Sequence, residues 1–285
     1  MDRRPDPAGV AGRPVTVVTG AAGGIGRELV RSLLEQGHHV LAVARRPAVF
    51  AEASQAWPGA LVQVEADLAL QSGRDAVVEA VLRHFGGLTA LINNAGVGMG
   101  SIRPDYYKRS LRLDEIDASI LQRFMDINAH APIALALALL PMFNRHWGRI
   151  VNVGTSLTAM LRPGFLPYAM SKAALESASA VMAADLRGTP ITVNVLNPGG
   201  PVDTPMARRE EKAGQDALIS PALVAPPVCW LASEASGGMH GRRVTATRWN
   251  ASAPMDAADP IGWPQLANDS TWTAEPPIDI QGKPA

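Results

Sequence analysis

The sequence is poor in cysteine, in net charge and in uninterrupted apolar runs, and each shortage excludes a class of protein. The single cysteine, Cys229, excludes an intramolecular disulfide and a cysteine cluster for zinc. Lysine and arginine together number 26, as do aspartate and glutamate, so the zero net charge predicts no binding to nucleic acid or to anionic membranes. The longest apolar run, residues 131–143, contains two prolines and is shorter than the roughly 20 residues of a membrane span.

Metal-binding patterns and targeting signals are also missing. None of the six histidines forms an i, i+4 pair with an acidic companion, so we expect no metal site. The first 13 residues are polar and rich in proline and glycine, unlike a secretory signal. We therefore expect a cytoplasmic protein.

Strand-like and helix-like segments alternate from about residue 15 to residue 249 with no linker-like stretch between them. We predict one α/β domain over residues 14–249, a doubly wound parallel sheet of seven strands with helices on both faces. Residues 1–13 are expected to form a flexible N-terminal segment. Residues 250–285 are expected to form an extended proline-rich tail, whose Trp263 and Trp272 pack on the same or a neighbouring subunit.

A glycine-rich segment follows the first predicted strand, residues 15–18. Its sequence, Thr-Gly-Ala-Ala-Gly-Gly-Ile-Gly over residues 19–26, leads directly into a helical pattern that ends near Gly37. Glycines at such a turn let the backbone approach a pyrophosphate, and the helix N-terminus supplies N–H donors. The segment lacks the Gly-Lys-Ser/Thr ending of a nucleoside triphosphate loop. A tight turn with a purely structural role is the alternative.

Two later strands also end in small and polar residues. Residues 91–96 have the sequence Leu-Ile-Asn-Asn-Ala-Gly, and the strand that begins at residue 149 ends at Thr155 and Ser156. Because open α/β sheets bind ligands at the carboxyl ends of their strands, we expect both segments to border one crevice.

Tyr168 and Lys172 are four residues apart, a spacing that places both side chains on one helix face. A cation one turn away favours the phenolate and lowers the phenol pKa, so the pair is suited to acid–base chemistry at neutral pH. On its own this spacing also arises by chance on solvated helices.

In this order, Thr-Gly-x-x-x-Gly-Ile-Gly, Asn-Asn-Ala-Gly, a hydroxyl residue after a strand and Tyr-x-x-x-Lys resemble the single-domain short-chain dehydrogenases/reductases, over about residues 13–249. The resemblance implies a Rossmann-like fold and hydride transfer to or from a nicotinamide cofactor. The cofactor-binding residues that it implies, from the pyrophosphate turn through the adenine and ribose contacts to the nicotinamide, are Gly20, Ala22, Gly23, Gly24, Ile25, Gly26, Asp67, Leu68, Asn94, Ala95, Gly96, Tyr168, Lys172, Pro198, Gly199, Val202 and Thr204.

The resemblance also implies catalytic roles. Tyr168 would be the general acid in reduction and the base in oxidation, and Lys172 would hold the nicotinamide ribose. Asn128 would anchor the water of a proton relay, with a capping or helix-bending amide as the alternative. Thr155, thirteen residues before Tyr168, would polarise the substrate carbonyl, with Ser156 as the alternative.

Cofactor preference is predicted from the end of the second strand. An acid that binds the ribose 2′-hydroxyl is absent, since Ala44 occupies its position and Arg45 and Arg46 follow. Arginines suit a 2′-phosphate, so we expect NADP(H) to be preferred and NAD(H) to be possible. Solvated loop charges are the alternative interpretation of both arginines.

The segment from residue 98 to residue 117 is longer than the resemblance predicts. It could roof the substrate pocket, form a surface hairpin or make an oligomer contact. The apolar residues expected to line the pocket are Leu157, Met160, Leu161, Phe165, Leu166 and Met206. The sequence thus predicts an NADP(H)-dependent carbonyl reductase for an apolar substrate, assembled as a homodimer or homotetramer. An NAD-dependent alcohol dehydrogenase of the same fold and a non-catalytic dinucleotide sensor are the alternatives.

Overall fold

The computed structural model describes residues 12–46, 55–106, 108–207 and 218–262. Residues 1–11 of the predicted N-terminal segment, and Trp263 and Trp272 of the predicted tail, lie outside these described residues. Within them the predicted α/β architecture is confirmed, with one sheet between two layers of helices.

The sheet has the order β3-β2-β1-β4-β5-β6-β7-β8. The strands are β1 Val15–Thr19, β2 His39–Ala44, β3 Leu61–Glu65, β4 Ala90–Asn93, β5 Gly148–Val153, β6 Ile191–Asn197, β7 Arg242–Thr245 and β8 Ala258–Pro260. Strands β1 to β7 pair in parallel, as predicted. The predicted count of seven was one too low, because β8 lies antiparallel on β7 with Ala258 opposite Val244.

Seven α-helices cover the sheet in the described residues. They are α1 Gly24–Glu35, α2 Gln71–Phe85, α3 Ala118–Met125, α4 Ala131–Leu139, α5 Leu157–Met160, α6 Leu166–Asp185 and α7 Pro221–Leu231. Alternation along β1 sends Val17 into one core and Val18 into the other. The core with Val18 contains α1 and α7, and the core with Val17 contains α2, α4 and α6.

Helices α3 and α4 are joined by a π-helical turn, Asp126–His130. The extra residue in this turn places the Asn128 side chain in the interior. By length and apolar composition the stretch Ala118–Met142 would suffice to cross a membrane. In this fold, however, Leu135 and Leu139 of α4 are fully buried in the core against the sheet.

A buried ion pair joins the C-terminal strands to the helix that carries Tyr168. In this pair, Arg243 of β7 donates from Nε to Oε1 of Glu176 in α6 over 3.1 Å, and its Nη2 lies 2.6 Å from the same oxygen. The backbone N–H of Gly262, after β8, donates to that carboxylate over 2.9 Å. Arg243 also donates from Nη1 to the Thr155 carbonyl over 3.3 Å. The pair therefore connects α6, the exit of β5 and the chain after β8.

We expect Glu176→Gln to lower the free energy of unfolding by about 3–5 kcal/mol, because it leaves the Arg243 charge buried without its counterion. Urea denaturation measures this loss. Glu79→Gln, which removes an exposed ion pair with Arg83, is the matched control and is expected to cost much less. Equal losses of unfolding free energy in the two variants would show that the buried Arg243–Glu176 pair stabilises the fold no more than an exposed ion pair.

Candidate active site

A cavity of about 1090 Å³ opens where the strand order reverses between β1 and β4. This volume is at the upper end of the range for small-molecule sites. Of the residues predicted to be catalytic or to bind the cofactor, Asn128 and Gly199 are the two that do not line it. Those that do are Gly20, Ala22, Gly23, Gly24, Ile25, Gly26, Arg45, Arg46, Asp67, Leu68, Asn94, Ala95, Gly96, Thr155, Ser156, Tyr168, Lys172, Pro198, Val202 and Thr204.

The glycine-rich turn fits a bound pyrophosphate. A Cβ on Gly26 would lie 2.2 Å from the Gly20 carbonyl oxygen, so the turn closes only with glycine there. Helix α1 begins at Gly24 with Gly23 as its N-cap, no side chain caps this end, and its first turn contains no acidic residue. Uncapped N–H groups and the positive end of the helix dipole favour an anion at this position.

The exit of β4 is tied to this turn by the two side chains Thr19 and Asn94. Asn94 donates from Nδ2 to the carbonyls of Thr19 and Gly20 over 3.0 and 3.2 Å. In return, Thr19 Oγ1 accepts the backbone N–H groups of Asn94 and Ala95, each over 3.0 Å. The Asn94 amide thus fixes the shape of the crevice, and its contact with the adenosine ribose stays a prediction.

The predicted adenine end is held by Arg74, which sequence reasoning did not single out. Its Nη1 donates to the Leu68 carbonyl over 2.8 Å and to the Ala69 carbonyl over 3.1 Å. An Asp67 carboxylate oxygen accepts the N–H of Ala69 over 3.0 Å. Arg74 is buried, so it acts as a fixed support for the loop rather than as a ligand. The only sign of Arg74's role in the sequence was that a basic residue falls on the buried face of α2.

Tyr168 and Thr155 both line the cavity, and their hydroxyl groups are hydrogen-bonded. Lys172 lies one turn further along α6, and its Nζ donates to the Val153 carbonyl over 2.7 Å. The exit of β5 and the first two turns of α6 therefore bring three functional groups together.

Burial determines the charge states of Tyr168 and Lys172. It raises the pKa of Tyr168 above its ordinary value, and the hydrogen bond with Thr155 opposes the rise. Burial also lowers the pKa of Lys172 to about 8, so most of the amine is still protonated at pH 7. The pKa of Tyr168 is therefore raised in this arrangement and not lowered as expected, because desolvation of the phenolate outweighs the hydrogen bond with Thr155.

Ser156 and Thr155 have different tasks. Ser156 Oγ accepts the N–H of Ala159 over 3.1 Å and caps the N-terminus of α5, although the residue also lines the cavity. Only Thr155 of this pair is hydrogen-bonded to Tyr168. The geometry thus favours Thr155 as the hydroxyl that polarises a carbonyl.

The Asn128 amide is occupied by contacts inside the protein. Its Oδ1 accepts the N–H of Val97 over 2.8 Å, and its Nδ2 donates to the Val97 carbonyl and to Ser171 Oγ, each over 3.0 Å. Ser171 Oγ in turn donates to the Tyr168 carbonyl over 2.8 Å. These bonds match the alternative of a structural amide that anchors the π-helical turn, and the role in a proton relay stays a prediction.

The described part of the loop after β6, residues 198–207, contributes to the cavity wall. A Cβ on Gly24 would lie 2.6 Å from Thr204 Cγ2, and one on Gly98 would lie 2.9 Å from Met206. The loop therefore contacts both the glycine-rich turn and the 98–117 segment. Gly199, with φ of +94°, packs against Thr247 instead, which explains why it is absent from the cavity wall.

The 98–117 segment contributes to the roof of the cavity. Met99 and Tyr106 line the cavity, and the Tyr106 ring packs edge-on against Phe165 at 5.6 Å between centroids. Its residues share a small apolar cluster with Phe165 and Tyr168. Of the three alternatives for this segment, the described residues thus favour the roof.

The predicted apolar lining was correct only for Phe165 and Met206. The short helix α5 presents Thr158 and Ala159 to the cavity, and Arg162 follows them there. Because α5 is only about one turn long, helical periodicity could not indicate which of its faces is inward. The four residues that do not line the cavity are Leu157, Met160, Leu161 and Leu166.

Cys229 and the histidines contribute nothing to this site. Cys229 is buried beside α1, and burial raises the pKa of its thiol to about 12. In the described part of the chain, no group of three His, Cys, Asp or Glu side chains is placed to hold a metal ion.

Comparison with known proteins gives consistent matches. A family model described as short chain dehydrogenase matches residues 14–215. The rhamnolipids biosynthesis 3-oxoacyl-(acyl-carrier-protein) reductase of Pseudomonas aeruginosa is 30% identical over 67% of this chain and 73% of its own length. The NADP-dependent 3-hydroxy acid dehydrogenase of Shigella flexneri is 25% identical over 65% and 71%. The crystal structure of the 3-ketoacyl-(acyl-carrier-protein) reductase from Brucella melitensis complexed with NADH matches with a TM-score of 0.70 and 25% identity, covering 81% of this chain and 95% of that one.

We expect Gly26→Ala to lower the free energy of unfolding by about 1–3 kcal/mol, because the new methyl group collides with the backbone of Gly20. Gly23→Ala is the matched control in the same turn, since its Cβ would lie 3.4 Å from the nearest atom. Urea denaturation of both variants measures the difference. A Gly26→Ala protein as stable as Gly23→Ala would contradict the steric requirement.

Proposed function

The chain belongs to the short-chain dehydrogenase family and is an oxidoreductase, and on that premise we propose that it reduces a ketone or aldehyde to an alcohol with NADPH. The hydrogen-bonded pair Tyr168 and Thr155, with Lys172 one turn away in the same cavity, carries this proposal. These groups suit a reaction in which a carbonyl oxygen becomes a hydroxyl.

The substrate carbonyl oxygen accepts hydrogen bonds from Thr155 and Tyr168, which polarises the C=O bond. When bound, the nicotinamide supplies the hydride. Tyr168 delivers the proton, since its phenol is protonated at neutral pH. Lys172 is mostly cationic at pH 7 and is held by the Val153 carbonyl, from where it would bind the ribose hydroxyls.

The preference for NADP(H) is supported by the cavity wall beside β2. Arg45 and Arg46 are exposed and line the cavity, and the buried Ala44 before them offers no carboxylate. Two arginines favour a 2′-phosphate, and a missing acid removes the partner of a 2′-hydroxyl. The Shigella flexneri relative is NADP-dependent, as its name states. NAD(H) is the second candidate, because the Brucella melitensis neighbour was crystallised with NADH.

Three further expectations from the sequence stay predictions: an apolar substrate, a homodimer or homotetramer, and a cytoplasmic location. The apolar substrate is supported by Met99, Phe165 and Met206 in the cavity wall. The rival role of a non-catalytic dinucleotide sensor is disfavoured by the hydrogen-bonded Tyr168 and Thr155, which binding of the dinucleotide alone would not require.

We expect Tyr168→Phe to lose at least about 100-fold in kcat while its affinity for NADPH changes little, because it removes the proton donor but keeps the ring. NADPH oxidation with a panel of carbonyl compounds measures kcat, and fluorescence titration measures the affinity. The matched pair Thr155→Val and Ser156→Ala is expected to show the larger loss at Thr155. Near-normal turnover in Tyr168→Phe would refute the assignment.

We expect Arg45→Ala to weaken NADPH binding by about tenfold or more and to leave NADH binding nearly unchanged, because only NADPH has the 2′-phosphate. Arg46→Ala is expected to act in the same direction. Arg13→Ala is the control, since Arg13 is exposed and lies before the amino end of β1, whereas Arg45 and Arg46 follow the carboxyl end of β2. Equal weakening of both cofactors, or of neither, would favour the interpretation of Arg45 and Arg46 as solvated loop charges.

A further inference from the structure

Arg243 links the buried ion pair with Glu176 to Thr155, and the proposed chemistry makes no use of this link. Its Nη1 donates to the Thr155 carbonyl over 3.3 Å, whereas the Thr155 hydroxyl is hydrogen-bonded to Tyr168. Thr155 therefore meets Arg243 through its backbone and Tyr168 through its side chain.

The geometry of the ion pair directs one guanidinium nitrogen to Thr155. A fork-to-fork pair would place two guanidinium nitrogens on the two carboxylate oxygens. In this pair Nε and Nη2 of Arg243 both lie on Oε1 of Glu176, at 3.1 and 2.6 Å. Among the described residues, Glu176 Oε2 has no hydrogen-bond partner. The third nitrogen, Nη1, is thereby turned towards the Thr155 carbonyl.

Both members of the pair belong to regular elements that also build the site. Glu176 lies on α6, about two turns after Tyr168. Arg243 lies in β7, where its backbone pairs with β6. Helix α6 therefore carries Tyr168 directly and supports Thr155 through the ion pair, so the separation of the two hydroxyl groups depends on one rigid element.

The exit of β5 lies close to this support because residue 154 is glycine. A Cβ on Gly154 would lie 2.7 Å from a side-chain atom of β6, so a larger residue would push the strand exit away. On either side of Gly154, the Val153 carbonyl accepts from Lys172 and the Thr155 carbonyl accepts from Arg243. Two buried cationic side chains thus hold the backbone that presents the Thr155 hydroxyl.

We propose that Arg243, held by Glu176, is a positioning residue that sets the Thr155 hydroxyl against Tyr168 for the reaction. The inference rests on the proposed function, in which Thr155 polarises the substrate carbonyl. A displacement of ~1 Å in a positioned group can cost about 100-fold in rate. Arg243 does not line the cavity, so it acts on turnover through Thr155 and not by contact with the substrate.

The test is a double-mutant cycle between Arg243→Lys and Thr155→Val, measured as NADPH oxidation with the best carbonyl compound of the panel. Arg243→Lys keeps the charge but lacks the planar fork. We expect it to lower kcat by about tenfold alone and by less than about twofold when Thr155→Val is also present, with KM for NADPH nearly unchanged. A similar loss in both backgrounds, or a loss in neither, would overturn the proposal.

Arg149→Lys is the matched control. Arg149 is also a buried arginine of the sheet, at the amino end of β5, where it donates to the carbonyls of Ser233 and Glu234 over 3.0 Å each. Any loss of kcat in Arg149→Lys is expected to be the same with and without Thr155→Val, and a loss that vanishes with Thr155→Val would count against a special role of Arg243.

A second variant covers the case in which Arg243→Lys does not fold. Urea denaturation shows whether each variant is folded under the assay conditions. Glu176→Asp then takes the place of Arg243→Lys, because its shorter carboxylate draws the guanidinium group away from Thr155 while the charge is kept. The same dependence on Thr155→Val is expected for it.

A spectroscopic measurement separates this proposal from the proposed function, because it needs no turnover. The Cζ resonance of isotope-labelled tyrosine reports the hydrogen bond of the Tyr168 hydroxyl group, and its loss in Tyr168→Phe assigns it. We expect Arg243→Lys to shift this resonance in the direction of Thr155→Val and Arg149→Lys to leave it in place. Such a shift without reduction of any carbonyl would support the positioning role and count against the proposed function alone. An unmoved resonance in Arg243→Lys would overturn the proposal.

Discussion

The site depends on the close approach of two backbones, at the end of β1 and the exit of β4. A Cβ on Gly20 would lie 2.7 Å from Ala95 Cα, so the two segments can meet only if Gly20 has no side chain. Thr19 and Asn94 then fix the approach with four hydrogen bonds. Because the strand order reverses between β1 and β4, this junction also sets where the crevice opens. The same junction determines the positions of the glycine-rich turn and of the start of α1.

Burial, rather than attraction between neighbouring charges, governs the protonation of Tyr168 and Lys172. It favours the neutral form of both Tyr168 and Lys172, raising the pKa of the first and lowering that of the second. The phenol of Tyr168 is therefore protonated at neutral pH. Lys172 keeps most of its charge because its pKa of about 8 is still above neutral pH.

Segments outside the four shared motifs shape the rest of the site. The 98–117 segment and the loop before α6 meet at Ser110 and Gly164, and both contribute residues to the cavity wall. The Thr155 carbonyl accepts a hydrogen bond from Arg243. The counterion of Arg243, Glu176, also accepts a hydrogen bond from the backbone N–H of Gly262. The C-terminal strands therefore support the same residue that meets Tyr168. This support explains why β8 belongs to the domain even though it lies beyond the parallel sheet.

Local patterns in the sequence determined the helices and parallel strands that carry the site and the glycine-rich turn. Both depend on side-chain period or on steric freedom at glycine, which act over short stretches of chain. The tertiary structure alone decided the bonds of Asn128, the orientation of Gly199, the addition of β8 and the raised pKa of Tyr168. These depend on contacts between segments far apart in the chain, such as Asn128 with Val97 and Ser171, and on burial, which no local pattern specifies.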